Sequence, residues 1–232
     1  AGDVCCEGDA MEETQQALAD RLASLLVARH FPVVLGGGHE VAYASWSGLA
    51  RHLVASGEAA PRIGIINLDA HFDLRNPSHV RSSGTPFAQI ANDCAQRDWP
   101  FRYACLGVSR ASNTRALFQR AVQLNVMVRE DRSFDATRLP ALMQDVMAFA
   151  HDCDHLYLTI DLDVLPAAEA PGVSAPAARG VSLALIEPLI EGIRDSGKLR
   201  LADLAELNPG RDIDGRTARA AARLVHLLTL ND

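Results

Sequence analysis

Three side chains that commonly bind metals occupy alternate positions directly after the apolar run 63–68. They are Asp69, His71 and Asp73. In an extended chain alternate residues point to the same side, so these three can converge on one point. Removing such groups from water is costly unless a cation compensates. The spacing therefore predicts a metal site at the end of a buried strand.

A second acidic cluster has the same position relative to an apolar run. Asp161 and Asp163 follow residues 155–160, and three glycines at 36–38 lead from another apolar run to His39. Glycines let the backbone turn sharply and approach another group closely. Taken alone, each cluster has a simpler explanation: loop acids that cap the next segment, or a strand-to-helix turn with an incidental histidine.

Together these clusters supply two histidines and four aspartates. Mixed nitrogen and oxygen ligands favour a divalent ion such as Mn²⁺ over a thiolate zinc site. Two ions could share Asp69 and Asp161 as bridging ligands, and a water between them would lose a proton near neutral pH. A fourth cluster, 201–209, contains a further candidate active-site carboxylate, Glu206. The residues alone therefore indicate a binuclear metallohydrolase.

The composition limits the classes of protein to which this chain can belong. The 232 residues are 48% hydrophobic and 22% charged, as in an ordinary globular protein. The formal charge of −7 argues against nucleic acid or an anionic membrane as a partner. No apolar stretch has the length of a transmembrane helix, and the first residues lack the pattern of a signal peptide. The five cysteines fit neither a disulfide framework nor a zinc site, so we expect free thiols and a cytoplasmic protein.

Short apolar runs alternate with longer amphipathic segments along the chain. The predicted strands are 33–35, 62–68, 102–108, 125–129, 155–160 and 199–206. The predicted helices are 14–29, 41–54, 86–95, 113–123, 138–150, 183–195 and 217–230. This alternation predicts a three-layer α/β/α fold with a mostly parallel central sheet, in a single domain spanning 1–232. The irregular segments 75–84 and 164–180 follow the acidic clusters, at strand ends where ligand sites commonly form.

Five motifs are spread over nearly the whole chain. They are Gly37-Gly38-His39-Glu40, Asp69-Ala70-His71-Phe72-Asp73, Asp161-Leu162-Asp163, Ala170-Pro171-Gly172-Val173-Ser174-Ala175-Pro176 and Asp203-Leu204-Ala205-Glu206-Leu207-Asn208-Pro209. In kind and order they resemble the ureohydrolase family of arginase, agmatinase and formimidoylglutamase. The resemblance implies one Mn²⁺ on His39, Asp69, Asp73 and Asp161, and a second on Asp69, His71, Asp161 and Asp163.

The same resemblance carries two expectations about the whole molecule. Family members usually begin with a strand and a helix that complete one edge of the sheet, so a first segment is expected to be missing from this chain. The family is often oligomeric, which leaves a homo-oligomer open.

The differences from arginase concern the substrate. Arg75 stands where arginase has a neutral residue facing the substrate's carboxylate, and Arg110 where arginase has an acid that recognises a free amino group. Guanidinium groups pair bidentately with carboxylates, so we expect a small dicarboxylate substrate. Ser83 and Asn113, in the same loops, are further candidate substrate-binding residues. These features resemble formimidoylglutamases, although ordinary surface ion pairs would also explain both arginines.

The resemblance implies that N-formimidoyl-L-glutamate is hydrolysed to L-glutamate and formamide, as in histidine degradation. Glu206 would hydrogen-bond the amidinium, and Asp73 would pass a proton to the departing nitrogen. Phe87 stands near the position where arginases have a further catalytic histidine, so that histidine's proton transfer is absent. Three alternatives stay open: an amidinohydrolase acting on arginine, agmatine or a guanidino acid; a single-metal deacetylase of the same fold; and a catalytically weak metal-binding paralogue.

Overall fold

Six parallel strands form one sheet in the computed structural model, which describes residues 1–78 and 80–230. Their bounds are β1 Val33–Leu35, β2 Ile63–Leu68, β3 Arg102–Val108, β4 Met127–Glu130, β5 His155–Asp161 and β6 Leu199–Ala205. The order across the sheet is β1-β6-β5-β2-β3-β4, so β5 and β2 lie side by side at its centre. Residue 79 of the predicted loop 75–84, and residues 231 and 232 of the predicted domain, lie outside the described residues.

Seven α-helices in the described region precede, connect and follow the strands. They are α1 Met11–Val27, α2 Val41–Ala55, α3 Pro86–Gln96, α4 Arg115–Gln123, α5 Leu139–His151, α6 Leu183–Asp195 and α7 Arg216–Thr229. Every predicted helix and strand is present, and the largest shift of an end is three residues, at α1 (14 predicted, Met11 observed). Glu12 and Glu13 lie in the first turn of α1, where their negative charges interact favourably with the positive end of the helix dipole. None of the described helices is long and apolar enough to cross a membrane.

Helices cover both faces of the sheet. On one face α5, α6 and α7 pack on the strands through a core that includes Val146, Ile190 and Leu224. On the other face a core that includes Trp46 and Ile90 joins α2 and α3 to the strands. A parallel sheet buried on both sides explains why its strands are continuous apolar runs in the sequence. The predicted three-layer α/β/α fold is confirmed.

The central strands end level with one another. Leu68 of β2 is the register partner of Ile160 of β5, and Ile160 pairs with Leu204 of β6. Leu35 of β1 also pairs with Leu204. The residues that follow these strands therefore emerge at one edge of the sheet, where parallel strands commonly form ligand sites.

Candidate metal centre

Asp69 belongs to two overlapping groups of side chains that can bind metals. Its Oδ2 is 3.2 Å from His39 Nδ1, and its Oδ1 is 3.5 Å from His71 Nδ1. The first group is His39, Asp69, Asp73 and Asp161, and the second is Asp69, His71 and Asp163. Within each group the ligand atoms lie within 4.8 Å of one another, so each group can surround one ion. Asp69 therefore presents one oxygen to each group.

The first group is built around a buried imidazole. His39 is 1% exposed, and its Nδ1 lies 2.9 Å from Asp73 Oδ2 and 3.3 Å from Asp161 Oδ2. Despite these carboxylates, Nδ1 makes no hydrogen bond of good geometry with any described residue. The other ring nitrogen, Nε2, lies 2.8 Å from Thr159 Oγ1. A buried nitrogen that faces several carboxylates without a proper hydrogen bond is suited to a metal ion.

The second group is more open. The side chain of His71 is 20% exposed, and its Nδ1 lies 2.9 Å from Asp163 Oδ2. Asp161 Oδ1 accepts a hydrogen bond of 2.9 Å from the backbone N–H of Asp163. Among the described residues, Asp161 belongs to the group around His39 and not to the group around His71. The two groups therefore share Asp69, whereas the resemblance implied that they share both Asp69 and Asp161.

The close packing of the carboxylates shifts the pKa values of the cluster. Burial, with the charges of Asp163 and Asp69, raises the pKa of Asp161 well above its ordinary value. Burial, with the charge of Asp69, raises the pKa of Asp73 to about 6. Hydrogen bonds to Asp163 and Asp69 raise the pKa of His71 to about 11. The cluster therefore has an excess of negative charge that protons or cations must balance.

The residues present fit a pair of divalent cations. The two groups contain four different aspartates, whose four negative charges two divalent cations would neutralise while both imidazoles stay neutral. Carboxylate oxygens with one imidazole at each position suit Mn²⁺ and similar ions. The Nδ1 of His39, which faces three carboxylates without a hydrogen bond of good geometry, is consistent with a bound cation.

Side-chain contacts hold the loop that carries these ligands. Asn113 Nδ2 donates hydrogen bonds of 2.8 Å to the carbonyl oxygens of Ala70 and Ser109, and its Oδ1 accepts one of 3.1 Å from the Phe72 N–H. Phe72 is buried and meets Phe118 edge to face, with ring centroids 4.9 Å apart. Asn113 was a substrate-binding candidate in the sequence, but its amide is engaged with the loop backbone. These hydrogen bonds hold the loop that carries Asp69, His71 and Asp73, and substrate binding by Asn113 stays a prediction.

Glu206 lies beside the His39 group. Its Oε1 accepts a hydrogen bond of 3.1 Å from the backbone N–H of His39, and its Oε2 accepts one of 2.8 Å from Ser174 Oγ. Its own backbone N–H donates to the Gly37 carbonyl at 2.8 Å. Glu206 and Asp73, the two candidate catalytic residues, have left-handed backbones with φ of 70° and 47°. Residues held in such sparsely populated conformations concentrate at functional sites.

The remaining substrate-binding candidates lie on loops nearer the surface. Arg75 is exposed, and its side chain passes so close to Gly84 that an added Cβ there would lie 2.8 Å from the Arg75 Nε. Ser83, beside this contact, is half-buried. Arg110 forms an ion pair with Glu130, with 2.7 Å between the guanidinium and Oε1. The ion pair that the sequence left open for Arg110 is therefore present, while Arg75 extends along the loop that contains Ser83.

Phe87 packs behind the first group. It is fully buried, meets the His39 ring edge to face at 5.3 Å between centroids, and stacks on Tyr103 at 4.5 Å. An aromatic hydrocarbon carries no exchangeable proton, so Phe87 contributes packing and exclusion of water. The orientation of the His39 ring depends partly on this contact.

Sequence reasoning assigned no role to three polar residues close to the site: Thr159, and Ser174 and Asp203, which lie in the motifs 170–176 and 203–209. Asp203 is fully buried, is the register partner of Thr159, and accepts a hydrogen bond of 2.5 Å from the Tyr157 hydroxyl. Burial raises the pKa of Asp203, and nearby hydroxyl groups offset part of that rise. The available signal was an aspartate inside an otherwise apolar predicted strand.

Known proteins resemble this chain in sequence and in fold. The model of the Arginase family matches residues 1–230. A formimidoylglutamase of Ralstonia nicotianae is 62% identical over 97% of this chain and 69% of its own length. The crystal structure of arginase from Bacillus subtilis has a TM-score of 0.87 at 24% identity, covering 100% of this chain and 83% of that chain. The crystal structure of Trypanosoma cruzi formiminoglutamase with Mn²⁺ has a TM-score of 0.81 at 23% identity, covering 98% and 73%.

The two solved structures have the same fold as this chain, and the sequence matches extend over nearly all of it. The chain belongs to the arginase family.

Proposed function

We propose that this chain hydrolyses N-formimidoyl-L-glutamate to L-glutamate and formamide. The observation that carries the proposal is the pair of metal-ligand groups joined by Asp69 at the carboxyl edge of the sheet. The choice of substrate is supported by a relative named formimidoylglutamase that is 62% identical over 97% of the chain. It is also supported by Arg75, an exposed residue whose guanidinium can pair with a carboxylate.

Two Mn²⁺ ions per chain are part of the proposal. His39, Asp69, Asp73 and Asp161 would hold one ion, and Asp69, His71 and Asp163 would hold the other, with Asp161 as a second shared ligand. The Mn²⁺ in the Trypanosoma cruzi formiminoglutamase structure supports the choice of metal. When bound, such ions supply Lewis acidity that acidifies water and polarises the amidine.

Glu206 would orient the amidinium of the substrate. Each of its two oxygens accepts a hydrogen bond, Oε1 from the backbone N–H of His39 and Oε2 from the Ser174 hydroxyl. Each oxygen keeps a lone pair for a charge-assisted hydrogen bond to the amidinium. A carboxylate fixed beside the His39 group favours the charged form of the amidine and holds its carbon over the cluster.

Asp73 would move a proton in the same reaction. The glutamate nitrogen must gain a proton as its bond to the formimidoyl carbon breaks, and a carboxyl group can carry that proton from the attacking water. Asp73 is only 7% exposed, so the transfer would take place away from bulk solvent. Arg75, with Ser83 beside it, would hold a carboxylate at the other end of the substrate.

The proposal extends to the domain organisation, location and partners of the enzyme. It would be a single-domain cytoplasmic protein that acts on a small dicarboxylate, without nucleic acid or membrane as a partner. The net charge of −7 supports the last point, since it disfavours binding to polyanions.

Product analysis tests the function directly. We expect the Mn²⁺-loaded protein to release formamide and glutamate in equal amounts from N-formimidoyl-L-glutamate, and to release no urea from arginine or agmatine. Chelation of the metal should abolish formamide release, and added Mn²⁺ should restore it. Absence of formamide from protein with measured Mn²⁺ would refute the proposal, and release of urea would favour a guanidino substrate instead.

A further inference from the structure

A line of buried polar groups leads from the metal centre into the core. His39 Nε2 lies 2.8 Å from Thr159 Oγ1. Thr159 of β5 is the register partner of Asp203 of β6, and the Tyr157 hydroxyl donates to Asp203 Oδ2 at 2.5 Å. These four residues are at most 1% exposed. Polar groups at this depth are costly unless they are hydrogen-bonded, so their arrangement requires an explanation.

Both ends of this line have an unsatisfied atom. Among the described residues, His39 Nδ1 and Asp203 Oδ1 each lack a hydrogen bond of good geometry. Between them lies the Thr159 hydroxyl, which has a single proton and can donate in one direction at a time. In a neutral imidazole, the direction of that hydroxyl therefore decides which ring nitrogen of His39 carries the proton.

The two directions have different consequences. If Thr159 donates to Nε2, the proton of a neutral imidazole is on Nδ1, and that nitrogen cannot bind a metal. If Thr159 accepts from Nε2–H, its own proton can turn toward the Asp203 carboxylate, beside which the hydroxyls of both Ser45 and Thr159 lie, and the Nδ1 lone pair is free. The second arrangement leaves the Nδ1 lone pair of His39 for a cation and directs the Thr159 proton toward the Asp203 carboxylate.

We propose that Asp203 is a positioning residue that acts through Thr159 to hold His39 as the Nε2–H tautomer and so strengthens metal binding by Nδ1. This inference rests on the metal site of the proposed function. Groups that fix the tautomer of a metal-binding histidine contribute roughly tenfold to a hundredfold to metal affinity. The line contacts His39, whereas the Nδ1 of His71 faces Asp163 and Asp69. Its loss should therefore weaken one of the two metal positions.

The test is a Mn²⁺ titration of Thr159→Val, which keeps the shape of the side chain and removes the hydroxyl. We expect one of the two ions to bind about tenfold to a hundredfold more weakly, while the other keeps its affinity. Thr159→Ser restores the hydroxyl and should restore the affinity. Asp203→Asn, which removes the charge at the far end of the line, should weaken the same ion.

Thr217→Val is the matched control. Thr217 is also fully buried, and its hydroxyl oxygen accepts a hydrogen bond of 2.7 Å from the Gly172 N–H. This variant should lose thermal stability, as Thr159→Val does, but should keep both Mn²⁺ affinities. The inference is overturned if Thr159→Val binds two ions as tightly as the unchanged protein, or if it weakens both ions equally.

The unchanged protein separates failure of this inference from failure of the proposed function. If it binds two Mn²⁺ and releases formamide while Thr159→Val has unaltered affinities, the inference alone is wrong. If the unchanged protein binds no Mn²⁺, the metal site and the inference are both wrong.

Discussion

The metal centre and the arginine rim, which consists of Arg75 and Arg110, differ in how the protein holds them. In the metal centre Asp69 is 0% exposed and His39 is 1% exposed, and both follow strands of the central sheet. In the rim Arg75 is exposed, and the side chain of Arg110 is 63% exposed. The candidate metal centre is therefore fixed by the core, whereas the proposed recognition of the substrate's anionic groups would depend on exposed side chains of loops.

This difference predicts that the two regions respond separately to substitution. Changes in the metal centre should alter metal content and turnover together. Changes in the rim should raise KM while metal content stays constant, because an exposed guanidinium contributes to binding and not to metal affinity. Substitutions that violate this separation would show that the two regions act as one unit.

Asp69→Asn should have the largest effect. An amide lacks the charge to hold two cations, so we expect loss of Mn²⁺ from both positions and a fall in kcat of roughly a thousandfold or more. Metal analysis after gel filtration, with a formamide assay on the same sample, measures both. Asp163→Asn is the control, because Asp163 contacts the His71 position and should release one ion. Two retained ions and normal turnover in Asp69→Asn would exclude Asp69 as the shared ligand.

Glu206→Gln should come next, because it changes charge beside the metal centre without removing a ligand. Loss of one charge-assisted hydrogen bond to the amidinium should lower kcat/KM roughly a hundredfold, equivalent to about 3 kcal/mol. Mn²⁺ content should stay at its normal value. Loss of Mn²⁺ from this variant would instead make Glu206 part of the metal centre.

Two further variants test whether the effect depends on the carboxylate of Glu206. Ser174→Ala removes the hydroxyl that holds Oε2, so kcat/KM should fall in the same direction but less, by about tenfold. Glu169→Gln changes a carboxylate of the neighbouring loop that accepts a hydrogen bond from the Leu183 N–H. Its kcat/KM should stay within about twofold of normal.

The sequence predicted the metal centre more completely than the rim. Apolar runs that end in acidic residues identify strand ends, and parallel strands bring their carboxyl ends to one edge. The apolar runs that precede Asp69 and Asp161, and the parallel arrangement of their strands, therefore predict that these two residues come together. The positions of the helices and strands follow from the same alternation, which explains the small shifts of their ends.

Partners that depend on distant residues could not be predicted. The pairing of Arg110 with Glu130 needs β3 and β4 side by side, and the contact of Thr159 with His39 joins residues 120 positions apart. The role of Asn113 depends on the path of the loop after β2. Neither periodicity nor residue type shows which of several polar groups a loop side chain will meet after folding.

Arg75→Ala should have a moderate effect confined to binding. Loss of a guanidinium that pairs with a substrate carboxylate should raise KM about twentyfold, equivalent to about 2 kcal/mol, with little change in kcat. Arg75→Lys keeps the positive charge but loses the planar guanidinium, so its KM should lie between those of the unchanged protein and Arg75→Ala. Arg81→Ala is the matched control, since Arg81 lies on the same loop but pairs with Glu12 at 3.1 Å. Equal KM values for Arg75→Ala and Arg81→Ala would exclude Arg75 from the binding site.

Arg110→Ala should have the smallest effect. Its KM tests whether one or both arginines of the rim bind the substrate. Glu130 already pairs with Arg110 and with Arg132, each at 2.7 Å, and the Arg110 guanidinium helps to hold the pKa of Glu130 below its ordinary value. If Arg110 also binds substrate, it would share its charge between Glu130 and the substrate, so Arg110→Ala should raise KM by about threefold. Arg132→Ala removes the other partner of Glu130 and should leave KM unchanged. If both variants raise KM equally, Arg110 serves the ion pair alone and Arg75 is the arginine that recognises the substrate.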